Sequence, residues 1–228
     1  MTTTAAQRLL IIGAGGFGRE VLGWALDMPA AQRGWEVSGF LDDNPAALGS
    51  RPAPIAVIGA PLDYPVSAND RLVCAIGDPR TKLSLCRALK ARGGQFITLI
   101  HPTAVVGPAC EIGEGCILCP GAVITTNVTL GRFVAVNVCA TVGHDAVVGE
   151  GCTLSGHADV TGFARLGEGV FLGSHASVLP GATVGNYAVV GAGSVVLRKV
   201  KAGVSVMGVP ARQIAGFGGL PQAGEPDK

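Results

Sequence analysis

The chain has 228 residues, a net charge of +1, 48% hydrophobic residues and only 5% aromatics, with 35 glycines. That length suits one large or two modest domains. The near-neutral charge removes any electrostatic case for nucleic acid or an anionic membrane, and glycine without a G-X-Y period excludes collagen.

The first apolar run, "RLLIIGAGG", is broken by glycines and followed by Arg19 and Glu20, so it is neither a signal peptide nor a membrane span. It reads as a strand and a glycine turn. "FGREVLGWALDM" follows as a helix, with Val21, Leu22, Ala25 and Leu26 at helical spacing. "WEVSGFLDDNP" is a strand ending in two acids, "RLVCAIGDP" is another strand, and "RTKLSLCRALKARGG" is a helix with a glycine stop. "QFITLI" closes the unit. Strands alternating with helices imply a doubly wound parallel sheet.

From Ile100 to Lys201 the pattern changes to 17 uninterrupted blocks of six. Each block opens on Ile, Leu or Val, and four positions later holds Ala, Cys, Val or Ser. Both positions are expected to point inward, the second kept small by a narrow interior. Glycine or Asn often follows the aliphatic residue, where an open turn is expected. Three blocks make one triangular coil, so the array gives nearly six coils, about 27 Å tall at ~4.8 Å per coil. The sheet unit can cap the first coil and "AGVSVMGVPARQIAGF" the last. "GGLPQAGEPDK" is expected to be a flexible tail. Of the seven cysteines, only Cys116 and Cys119 form a close pair, which is too few for a zinc site. Structural thiols in a reducing cytoplasm are the simplest expectation.

This array, ended by "GVPAR" at 208–212, resembles the left-handed parallel β-helix of the hexapeptide-repeat acyltransferases. With "IIGAGGFGREV", "GFLDD" and "AIGDPRTK" in front, it resembles one bacterial branch over about residues 7 to 215. That branch contains the sialic-acid O-acetyltransferases and nucleotide-4-amino-sugar N-acetyltransferases. The resemblance implies an N-terminal Rossmann-like α/β domain (1–98) that binds a nucleotide-sugar acceptor. It implies an all-β left-handed helix (99–217) that binds acetyl-CoA and catalyses, then the tail (218–228). It also implies a cytoplasmic homotrimer with sites between subunits.

In the family, a His followed by an acid within the repeat is the general base; here these are His144 and Asp145. His144 is third in its block, off the core. An imidazole, titrating near ~6.5, suits removal of a proton at neutral pH. Neighbouring strand residues point to opposite faces, so Asp145 can orient the ring only if a corner lies there or if the contact is indirect. His157 and His175 share the fourth place of their blocks, can line the subunit groove, and read as structural residues or neighbours of the pantetheine arm rather than as bases. His101 reads as structural. No His-x4-His spacing supports a metal site. The resemblance places Asn137 near the acceptor's sugar and a Gly162 N–H at the acetyl carbonyl. Each also reads as an ordinary hexad corner residue. Arg198, Lys199 and Lys201 fall where relatives hold the phosphates and adenine of coenzyme A, and also read as a solvated basic edge.

Gly13, Gly15 and Gly18 form G-x-G-x-x-G between a strand and a helix, and with Gly16 can hold a pyrophosphate on backbone amides. Asp42 and Asp43 are expected at the nucleoside, and Arg80 at a phosphate. Many amino-sugar relatives carry His where this chain has Phe17, which can pack on the helix or stack on the acceptor. The function implied is transfer of acetyl from acetyl-CoA to the amine of a nucleotide-linked amino sugar. The alternatives are an O-acetyltransferase on a sialic acid or polysaccharide precursor, and a non-catalytic nucleotide-binding trimeric scaffold. The glycine loop alone would also fit a dinucleotide oxidoreductase.

Overall fold

The computed structural model describes residues 7–51 and 53–215; the tail expected at 218–228 lies outside them. The N-terminal unit is β1 (Gln7–Ile12), α1 (Gly16–Asp27), β2 (Trp35–Leu41), β3 (Val57–Gly59), β4 (Asp70–Cys74) and α2 (Pro79–Ala91). The strands form one parallel sheet in the order β3-β2-β1-β4. Strand β1 is buried on both sides: Leu9 and Ile11 join the cluster under α1, while Leu10 and Ile12 join the one with Leu83, Cys86 and Leu89 of α2. That two-sided burial is why the strand reads as an unbroken apolar run. The helix α2 starts where Asp78 Oδ1 accepts from the Thr81 N–H at 2.8 Å, with Pro79 in the first turn. Strand β3 carries too little alternation to be seen in the sequence.

The repeat folds into three parallel sheets of two-residue strands. Face 1 runs from Leu99–Ile100 to Ser205–Met207, with Arg212–Gln213 added antiparallel. Face 2 runs from Val105–Val106 to Val195–Val196, and face 3 from Glu111–Ile112 to Lys199–Val200. The expected inward positions fill one core, with Ala140, Val142, Ala146, Cys152, Leu154 and Ala158 all fully buried, except in the first coil, where Val106 is 39% exposed.

The turn chemistry differs from the expectation. The left-handed backbone falls on the fourth hexad residue, as at Asn127, Cys139, Asp145, His157 and Phe163, with φ between 55° and 60°. The glycine after the aliphatic residue answers a different need. A Cβ at Gly131, Gly149 or Gly185 would lie 2.4–2.6 Å from backbone of the next coil. Only a missing side chain lets the coils close at those corners.

Strand partners are 18 residues apart, as in Thr141↔Asp159, until the last coil, where Thr183 pairs Lys199 and Val189 pairs Ser205. The final turn is therefore two residues short, and Val200 stacks on Val184.

The sheet unit docks on face 1 and on the corner between faces 3 and 1. Gly151 has φ 69°, and a Cβ there would lie 2.3 Å from Leu83 of α2. Phe96 and Phe133 meet edge to face at 5.0 Å across the junction. Arg87 reaches Glu150 at 3.2 Å and Glu168 at 2.9 Å, and Lys90 pairs with Glu114. Lys82 is 1% exposed; its Nζ donates to Cys152 O (3.1 Å) and Thr153 Oγ1 (2.8 Å), and Thr153 Oγ1 donates to Gly77 O (2.8 Å).

Burial holds the Lys82 ammonium below its ordinary range. The folded state thus releases this proton at lower pH than the unfolded chain does. Between the folded value and the unfolded one near ~10.4, the unfolded state binds more protons, so this group makes stability rise with pH. The stability difference between the wild type and Lys82→Met should therefore grow in favour of the wild type as pH climbs toward that limit. Urea unfolding of both proteins over an alkaline series measures it; a difference that stays flat with pH removes the charge from Lys82's account.

All seven cysteines are free. Burial pushes Cys116 up to about 11 and Cys152 to about 12, so these thiols stay protonated and inert.

Candidate active site

His144 lies on the corner between faces 2 and 3. Asp145 beside it has φ 60°, the turned backbone that lets two adjacent side chains meet. His144 Nδ1 and Asp145 Oδ2 are 2.9 Å apart. With the ring proton on Nδ1 donated to the carboxylate, Nε2 is left as the free base. The two side chains are 53% and 36% exposed, open to a ligand. The condition on which Asp145's help depends, a corner at this point, is present.

The coils above and below complete the corner. Asn127, one coil before Asp145, donates to Asp145 Oδ1 at 3.4 Å. Gly162, one coil after His144, is so close that a Cβ would stand 2.6 Å from both Cε1 and Nε2 of the ring. Phe163 meets the imidazole edge to face at 5.0 Å. The 18-residue offset that places Asn127 and Phe163 beside Asp145 was present in the repeat, but neither residue type advertised a role.

The same corner continues three coils on to Leu197 and Arg198, roughly 14 Å from His144 at the usual strand spacing. There Arg198, Lys199 and Lys201 line a concavity of about 450 Å³ at the end of the solenoid. Arg212, absent from the sequence expectation, joins them over a floor of Val196, Val200, Val204 and Val206. The four cations are brought together by the shortened last coil and the antiparallel return of Arg212–Gln213.

Within one chain, His157, His175 and Asn137 are not near His144. They belong to the corner between faces 1 and 2. The two imidazoles stack there with centroids 4.8 Å apart and planes 1° from parallel. Asn137 donates its N–H to Leu154 O (2.9 Å), and its Oδ1 lies 3.6 Å from Cys119 Sγ. His101 is buried at the domain junction, its Nδ1 accepting from the Thr103 N–H at 3.2 Å.

At the C-terminal edge of the sheet, the three motif glycines have separate reasons. Gly13 has φ 93°, and a Cβ at Gly18 would collide with Gly13 O at 1.9 Å. Gly15 has nothing within 4 Å, and Gly16, the first helical residue, only Arg19 Nη2 at 4.0 Å. The turn is thus tight at its ends and open in its middle, as backbone approach by a phosphate requires. Phe17 packs on its own helix, meeting Trp24 edge to face at 6.1 Å.

Two expected ligand contacts are already engaged. Asp42 accepts from the Ala14 N–H (2.8 Å) and the Asn44 N–H (2.9 Å), which ties β2 to the glycine turn; Asp43 is exposed next to it. Arg80 lies over the Tyr187 ring at 4.3 Å, on the corner between faces 3 and 1. Docking α2 against the solenoid gives this guanidinium an aromatic face to rest on. Among the described residues no cluster of His, Cys, Asp and Glu could hold a metal, and no helix is long and apolar enough to cross a membrane.

Comparison with known proteins agrees with this architecture. Residues 8–89 match the PglD N-terminal domain family, and residues 97–126 and 163–198 match the bacterial transferase hexapeptide (six repeats) family. PerB from Caulobacter crescentus, solved with CoA and GDP-perosamine, is 34% identical over 92% of this chain and 99% of its own, with a TM-score of 0.81. The acetyltransferase domain of PglB from Neisseria gonorrhoeae FA1090, solved with acetyl coenzyme A, is 31% identical over 92% of this chain and 100% of its own, with a TM-score of 0.83. The GDP-perosamine N-acetyltransferase of Escherichia coli O157:H7 is 29% identical over 146 residues, 61% of this chain and 66% of that protein, just under two thirds of its length. A doubly wound sheet, a left-handed hexapeptide β-helix and these full-length likenesses together place the chain in the nucleotide-4-amino-sugar N-acetyltransferase family.

Proposed function

We propose that the protein moves the acetyl group of acetyl-CoA to the amine of a nucleotide-linked amino sugar, with His144 as general base. The observation that carries this reading is the His144–Asp145 pair on a corner that leads, coil by coil, to the four cations at the solenoid end. Acetyl-CoA supplies an activated acyl thioester. Arg198, Lys199, Lys201 and Arg212 hold its phosphates, and the exposed apolar Leu197 and Phe163 flank the way to His144. His144 Nε2 takes the proton from the amine as the nitrogen attacks, and returns it to the departing thiol. Asp145 fixes the ring and stabilises its charged form. The Gly162 N–H, which has no acceptor among the described residues, faces the negative charge developing on the acyl oxygen.

Residues 1–98 form the acceptor domain and 99–217 the acetyl-CoA-binding catalytic domain. The amides of Gly15 and Gly16 hold the acceptor's diphosphate at the start of α1, with Asp42 and Asp43 at the nucleoside. A homotrimer sets the His157–His175 corner and Asn137 of one chain against the His144 corner of the next, so each site uses two chains. Sedimentation as three chains checks that assembly.

The test is release of CoA thiol from acetyl-CoA with UDP- or GDP-linked amino sugars, against sugars bearing only hydroxyls. Turnover confined to amino acceptors is expected. Turnover of hydroxyl acceptors alone replaces this reading with O-acetylation. No turnover and no acetyl-CoA binding replaces it with a scaffold.

A further inference from the structure

Phe163 is a large aromatic residue on an exposed turn of the solenoid. Its backbone is left-handed, with φ 60°, a conformation that is an outlier for a bulky side chain. The turn itself is common here, on exposed Ala109, Asn127, Cys139, His157 and His175 as well, but a large ring is offset by burial at Phe133, which is 2% exposed at the same hexad position. Phe163 is 56% exposed and gains no such burial. The residues above and below it in the column are Gly181, which has nothing within 4 Å of its Cβ position, and Asp145. Its ring meets the imidazole of His144 edge to face at 5.0 Å. It also directly follows Gly162, whose open Cα lies against the Nε2 side of that imidazole.

We infer that Phe163 is a specificity-determining residue: its ring forms the wall that limits the acyl group to acetyl. This rests on the function proposed above, in which the acyl carbon sits between His144 Nε2 and the Gly162 N–H. A rigid ring on the next residue, on the side leading to Arg198, occupies the space into which a longer acyl chain would extend. Steric exclusion of this kind discriminates by about 10- to 200-fold per methylene.

The experiment compares kcat/KM for acetyl-, propionyl- and butyryl-CoA in the wild type and in Phe163→Gly, with thiol release as the readout and a GDP- or UDP-linked amino sugar as acceptor. Glycine adopts φ near +60° without penalty, so the variant folds, and its thermal midpoint should match or exceed the wild type's. The acetyl-to-butyryl ratio should fall by at least about tenfold. A wild type that uses butyryl-CoA as well as acetyl-CoA overturns the inference. So does an unchanged ratio, or an equal loss with every donor, which is the result of a ring that only orients His144. A wild type inactive with all donors overturns the proposed function and this inference with it, whereas an active wild type whose ratio survives Phe163→Gly overturns the inference alone.

Discussion

Replacing His144 with alanine should lower kcat by about 10²- to 10⁴-fold, the usual contribution of a positioned general base, with the fold intact. The side chain is 53% exposed, so its loss opens no cavity in the core. Its polar partner among the described residues is Asp145 at 2.9 Å, on the surface of the same corner. The thermal midpoint should stay near that of the wild type, and acetyl-CoA should bind, because Arg198, Lys199, Lys201 and Arg212 lie at the far end of the corner. Steady-state kinetics and a binding titration separate the two effects. Full activity in His144→Ala would remove the base from the mechanism, and loss of acetyl-CoA binding with unchanged kcat would assign the imidazole to donor binding.

Gly162→Ala should cost about 10²-fold in kcat, because an ångström of misplacement at the reacting centre is worth that much. The backbone at 162 is not left-handed, so alanine is allowed there, and its N–H is retained. What changes is space. The new methyl would sit 2.6 Å from Nε2 and Cε1 of His144, well inside contact distance, so the imidazole must swing away. A half-exposed ring can do so without unfolding the coil. The expected pattern is low kcat, near-normal KM for acetyl-CoA and an unchanged thermal midpoint. Wild-type kcat in Gly162→Ala would mean that the ring's position is not critical. An unfolded variant would mean that Gly162 serves the packing of coils, as Gly149 and Gly185 do.

Much of this molecule was legible from residue order. The two inward positions of each hexad are visible because one must be aliphatic and the other small in every turn of a narrow prism. The motif glycines at the start of α1 were legible for the same kind of reason, since Gly13 and Gly18 have local backbone demands that no other residue meets. The meaning of the repeated glycines was not. Gly131 and Gly149 are there for the approach of the next coil, which lies 18 residues away in the chain, while the left-handed turn sits two positions later on residues as unlike as Asn127, Asp145 and Phe163. In an array that fixes the backbone this strongly, a turn residue need not look like one.

Residue order alone thus determined the two-part architecture and the solenoid core, because each follows from periodicity, and through the family resemblance it singled out His144 as the candidate base. The tertiary structure alone decided how His144 and Asp145 meet, since that depends on where a coil turns its corner. It also decided that Arg80 lies on Tyr187, that Asp42 clasps the glycine turn, and that Lys82 is buried against Cys152 and Thr153. A hexad period specifies what faces the axis of the prism; it carries no information about which outer corner a separate domain will cover. The Asp42 contact joins groups 28 positions apart and needs the sheet to form; the Arg80 and Lys82 contacts join groups 70 or more positions apart and exist only once the sheet has docked on the solenoid.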